Sequence, residues 1–131
     1  MEIKKKDFTY RGKTLEELKT LNVREFAKYL RARERRSVLR QFQKVEEFIN
    51  RMKIKTGREK LLKTHERDII IVPDMVGMKI QVHDGKGFFP VIIMGEMLGH
   101  RLGEFAITRS KVKHSKAGIG ATKGSKFKAK K

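Results

Sequence analysis

Met78-Lys79-Ile80-Gln81-Val82-His83-Asp84-Gly85-Lys86-Gly87-Phe88-Phe89-Pro90-Val91-Ile92-Ile93-Met94 is the stretch that decides the fold. Met78, Ile80 and Val82 alternate with Lys79, Gln81 and His83, the period of two expected of a half-buried strand. Asp84-Gly85 is a hairpin turn signal, and Phe88 to Met94 reads as the returning strand. Pro90 has no N–H to give to a ladder, which places that strand at an edge or a bulge. Just upstream, the β-branched run Ile69-Ile70-Ile71-Val72, closed by Pro73, reads as a short buried strand. Arg58 to Arg67 is polar and shows no clear period.

Before Gly57 the period is helical. Thr14-Leu15-Glu16-Glu17 is a capping box opening a short helix to about Leu21, and Asn22-Val23-Arg24-Glu25 repeats the device. A third helix is expected from about Ser37 to Met52, where Val38, Phe42, Val45, Ile49 and Met52 recur at spacings of three and four. That stripe is core. After Gly95 the chain is glycine-punctuated up to Phe105-Ala106-Ile107, and from Ser110 it is Lys, Gly, Ser and Ala with few large apolar residues. Such a segment cannot offset its own ordering entropy, so it is expected to order only on a partner. The fold class is therefore α+β: N-terminal helices, then a small, mainly antiparallel β-sheet, then a basic C-terminal arm. The expected organisation is a basic N-terminal arm over 1–13, one α+β domain over 14–109 and a basic extension over 110–131.

Charge says what such a molecule is for. Of 131 residues 37% are charged, and the net charge is +18. Three stretches, 109–131, 31–40 and 1–6, account for +15 of that net +18, so the other 92 residues are almost balanced. A near-neutral body with cationic extremities suits a polyanion binder. There are no cysteines, which excludes a disulfide framework and fits a reducing interior. No apolar run approaches a membrane span or the core of a signal peptide, so a cytoplasmic protein without membrane contact is expected.

Arg31, Arg33, Arg35, Arg36 and Arg40 are the first candidates. At about 100° per residue they spread around a helix, and only Glu34 lies among them, so most are unpaired locally. Guanidinium forks match phosphate oxygens. Lys111, Lys113, His114 and Lys116 of the basic tail are the second candidates; a solubilising tail is the plainer reading, and counterion release would serve RNA and DNA alike. The histidines, His65, His83, His100 and His114, match no metal-ligand spacing, so neither metal nor cofactor is expected. Stacking or hydrogen bonding on RNA suits His65, His100 and His114, whereas His83 on the polar side of its strand reads as solvated. Asp74, Glu96 and Glu104 near His100 could be imagined as the acid–base groups of a ribonuclease, but no nucleophile or phosphate loop accompanies them. Asp74 and Glu96 read better as turn and helix-start residues.

Three segments carry a resemblance. Arg67-Asp68-Ile69-Ile70-Ile71-Val72-Pro73-Asp74-Met75-Val76-Gly77, Val82-His83-Asp84-Gly85-Lys86 and Glu96-Met97-Leu98-Gly99-His100-Arg101-Leu102-Gly103-Glu104-Phe105-Ala106-Ile107-Thr108-Arg109 resemble the universal small-subunit ribosomal protein 19 family. Phe8-Thr9-Tyr10-Arg11-Gly12-Lys13, the arginine helix and the tail through Gly118-Ile119-Gly120-Ala121-Thr122 resemble its archaeal and eukaryotic branch. Asp84 stands where many relatives carry Asn, a change a turn accepts. The resemblance implies a non-catalytic constituent of the small subunit head. It would bind the 3′ domain of the rRNA, pair with small-subunit ribosomal protein 13, lie near a bridge to the large subunit and extend its arm toward tRNA at the decoding region. It also implies Arg67, Lys86, His100, Arg101, Thr108 and Arg109 as RNA contacts, with Gly77, Gly85, Gly99 and Gly103 shaping the turns. A free, DNA-associated basic protein is the alternative that composition alone leaves open.

Overall fold

A computed structural model describes residues 7–58, 60–111, 113 and 123–124. The chain opens with a two-residue hairpin, β1 (Thr9–Tyr10) and β2 (Lys13–Thr14), turning through Arg11 and Gly12 at positive φ. Tyr10 packs on Phe26 with ring centroids 6.0 Å apart. The described part of the expected N-terminal arm is thus seated on the body, because Tyr10 has an apolar partner that composition could not reveal.

Both capping boxes form. In α1 (Leu15–Lys19) the Glu17 carboxylate accepts from the Thr14 N–H at 3.2 Å, and the Thr14 hydroxyl accepts from Glu17 at 3.4 Å. Before α2 (Val23–Ala27) Glu25 accepts from the Asn22 N–H at 3.1 Å. The single helix expected from Ser37 to Met52 is two, α3 (Ala32–Arg40) and α4 (Phe42–Gly57), parted by Gln41 at φ −106° and ψ 24°. Its apolar spacing suits one rod, but Val38 must be buried beside α2 while Val45, Phe48, Ile49 and Met52 fill the core. The bend lets each set reach its own neighbours and leaves Leu39 exposed.

The sheet is mixed, with order β3-β4-β5. β4 (Lys79–His83) and β5 (Phe88–Ile92) are antiparallel, with Gln81 opposite Pro90 on the edge strand as the proline requires. They are joined by four residues, not two. Asp84 accepts from the N–H groups of Lys86 and Gly87 at 2.9 and 2.6 Å, and those bonds hold its carboxyl below the usual range. β3 (Leu62–Thr64) lies inside the stretch without a clear period and runs parallel to β4, Leu62 opposite Ile80. Three residues are too few to show a period.

The run Ile69 to Val72 is buried but joins no sheet. It lies antiparallel to residues 99–103 through one bridge, Ile70 to Arg101. Backbone bonds run from Ile71 to the His100 oxygen (2.8 Å), from Leu102 to the Ile69 oxygen (3.0 Å) and from Gly103 to the Arg67 oxygen (2.9 Å). The turns at Gly99 and over Leu102–Phe105 stop the pairing from becoming a ladder. Arg67 ties this seam to the sheet: its half-buried guanidinium donates to the carbonyls of His83, Gly103 (2.7 Å) and Ala106. Arg67→Met would leave those oxygens without a charged donor. It is expected to lower stability by about 2–4 kcal/mol in chemical denaturation.

Candidate nucleic-acid interface

The seam that Arg67 closes also positions Arg101. With Ile70 bridged to Arg101, the half-buried Arg101 side chain reaches α3 and donates to the Ser37 hydroxyl at 3.2 Å. Ser37 in turn donates to the Arg33 carbonyl at 3.0 Å, the neighbour one turn back on the helix. Arg33, Arg36, Ser37 and Arg40 recur at spacings of three and four and so share a face. Together with Gln41 and Arg101 they line one shallow depression. Four arginines therefore border a single hollow.

Among the described residues no carboxylate comes within 4.0 Å of any of the four; the ion pairs found are Lys44–Asp68, Arg51–Glu66, Lys53–Asp74 and His100–Glu104. The acid nearest in the bonding network is Asp68, which accepts from Gln41 at 2.9 Å and from Lys44 at 3.1 Å. Partial burial acts to raise the Asp68 carboxyl, but the bonds from Lys44 and Gln41 and the Lys44 charge outweigh it and hold it below 3.8. That acid is occupied elsewhere. A cluster of unneutralised guanidinium forks beside a hydroxyl and an amide is suited to phosphate oxygens.

The other candidates are distributed differently. Arg35 turns back and donates to the Leu30 carbonyl at 3.3 Å, and Arg31 borders a separate hollow with Glu34, Glu96, His100 and Glu104. His100 lies 2.7 Å from Glu104 and edge-on to Phe105. Asp74 is away from them, 3.9 Å from Lys53, so the three acids weighed for catalysis do not converge. Arg67 is a half-buried clamp whose guanidinium donates to three carbonyls of the protein itself. Lys86 is exposed in the β4–β5 loop; Thr108, Arg109, Lys111 and Lys113 are exposed along the end of the body. His114 and Lys116 lie outside the described residues.

Of the four candidate turn glycines, Gly77, Gly85 and Gly99 have positive φ and Gly103 does not. A Cβ on Gly99 would meet Leu30 and the Tyr10 hydroxyl at 3.1 Å, and one on Gly103 would meet the Arg67 Cβ and carbonyl at 2.9 and 3.0 Å. Both are places of close approach within the protein. Ser37 and Gln41 are lining residues that sequence reasoning missed. Their spacing from Arg33 and Arg36 was visible, but nothing local said that Arg101 would arrive beside them.

A family model for ribosomal protein S19 matches residues 31–114, from the start of the arginine segment through the seam. This chain belongs to the ribosomal protein S19 family. It is 47% identical over 125 residues to the small ribosomal subunit protein uS19 of Methanocella arvoryzae, an archaeon, covering 95% of this chain and 87% of that protein. The similarity therefore reaches past the family model into the N-terminal helices, as expected of the archaeal and eukaryotic branch. The family is one of ribosomal structural proteins and not of enzymes. Among the described residues no helix is long and apolar enough to cross a membrane.

A pH dependence follows from Asp68. Its folded value lies below the unfolded one, so the stability it contributes is fully present above the unfolded 3.8 and is lost as pH falls through the folded value. Asp68→Asn is expected to be less stable than the native chain at pH 7. The difference should shrink as the pH falls below 3.8 when both are unfolded in urea at several pH values.

Proposed function

We propose that this chain is a structural constituent of the small ribosomal subunit in the cytoplasm, binding the 3′ domain of small-subunit rRNA in the head. The observation that carries the reading is the hollow bordered by Arg33, Arg36, Arg40 and Arg101, with no carboxylate against it among the described residues. Each phosphate seated there would displace condensed counterions. Arg31, Arg35, Lys86, His100, Thr108 and Arg109 add exposed polar contacts around the body, and Lys111, Lys113, His114 and Lys116 begin an arm that orders on RNA. The family resemblance extends the proposal to pairing with small-subunit ribosomal protein 13, to a place near a large-subunit bridge and to an arm directed at tRNA.

In gradient sedimentation the chain should travel with small subunits and stay with them through moderate salt; a free pool held on duplex DNA would overturn the reading. Replacing Arg36 and Arg101 together by Gln should flatten the log–log salt dependence of rRNA affinity by about 1.4 to 1.8, two phosphate contacts' worth. Deleting residues 110–131 should leave the melting temperature nearly unchanged and flatten that slope further, read in filter binding at several salt concentrations.

A further inference from the structure

The sheet has a second face that the arginine hollow does not use. Lys63, Gln81 and Pro90 are in register across it, with Lys79 opposite Ile92 and His83 opposite Phe88. Leu62, Ile80, Val82 and Val91 point the other way into the core. Continuing the alternation past β3 brings His65 to the same outer face. There His65 and His83 lie with ring centroids 4.4 Å apart and planes tilted by 35°. Phe88 is edge-on to both at 5.1 Å, and the Lys63 ammonium stands 5.4 Å from the Phe88 centroid. The strand residues of this face carry two lysines and no carboxylate.

His65 is exposed, while His83 and Phe88 are half-buried behind it. A side chain ordinarily free to change rotamer is thus backed by two rings that hold it in one orientation. A flat, pre-oriented ring in a cluster that also carries an ammonium suits an unpaired base and its flanking phosphate. Base–aromatic stacking needs only a π-face, and Lys63 and Lys79 supply charge of the sign that a nucleic-acid strand seeks. A peptide partner could cover Pro90 and Ile92, but two lysines and no carboxylate on the face favour a polyanion.

We infer that the outer face of β3 and β4 is a binding site for one unpaired RNA base, which stacks on His65 while Lys63 meets an adjacent phosphate. The inference rests on the rRNA reading above and adds to it a site on the opposite side of the sheet from the core. Its physical signature differs from that of the arginine hollow. Stacking releases no counterions, so loss of the ring should lower affinity at every salt concentration by the same factor.

The test uses the full-length chain and a transcript of the 3′ domain of small-subunit rRNA. His65→Ala should weaken binding about tenfold with an unaltered salt slope and melting temperature, and His65→Phe should restore most of the affinity. Lys63→Gln should instead flatten the slope by about 0.7 to 0.9. Unchanged affinity in His65→Ala would overturn the inference, leaving the face to solvent or a protein neighbour. A loss accompanied by a flatter slope would overturn it too, since His65 would then be a phosphate contact. A native chain whose affinity ignored salt would remove the rRNA reading itself, and this site with it.

Discussion

The seating of residues 99–103 along residues 67–71 is the contact on which the rest of the molecule depends. It brings together two segments about thirty residues apart in the chain through backbone hydrogen bonds between 2.8 and 3.1 Å. Arg67 completes it by collecting carbonyl oxygens from the sheet and from both ends of the Leu102–Phe105 turn. Buried peptide oxygens that lie outside a regular ladder need such a donor, because leaving them unpaired is costly. At the other end Gly99 sits where a Cβ would crowd Leu30 and Tyr10, so the seam also fixes how closely the N-terminal part approaches. One irregular pairing thus joins helices, hairpin and sheet.

The same seam builds the arginine hollow. Three of its guanidinium groups come from α3 and are local to one helical face; the fourth, Arg101, is delivered from the far segment. Like charges held near one another repel, although water and salt reduce the penalty to about 1 kcal/mol per close pair. Among the described residues no carboxylate pairs with these four arginines within 4.0 Å. Asp68, Glu66, Asp74 and Glu104 are each engaged with a different cation or histidine. Under the proposed reading, a polyanion that supplies phosphates would relieve that repulsion and release counterions together.

Much of this was legible in the chain. The capping boxes at Thr14 and Asn22 are local hydrogen-bond patterns, and they form as the sequence indicates. Alternation in Met78 to Val82 and the missing N–H of Pro90 located the β4–β5 hairpin and its edge. What failed shares a cause. Ile69 to Val72 has the composition of a strand, but its partner is a glycine-rich turn rather than another strand. Gln41 parts α3 from α4 because two sets of apolar residues have different neighbours, a fact absent from their spacing. The three carbonyls that Arg67 clamps are also beyond local pattern, since they come from His83, Gly103 and Ala106. His83 reads as a solvated residue and is half-buried against His65 and Phe88.

By itself the sequence determined the class of the molecule: an α+β body, near neutral outside one arginine-rich stretch, with cationic ends, suited to a polyanion. Charge distribution and period are properties of neighbouring residues, and those survive without coordinates. Only the tertiary structure decided which cations act together. Arg101 joins Arg33, Arg36 and Arg40, Arg67 does not, and His65 meets Phe88 across β4. Each of these depends on a long-range pairing whose register is set by burial and backbone hydrogen bonding, and no local pattern encodes it.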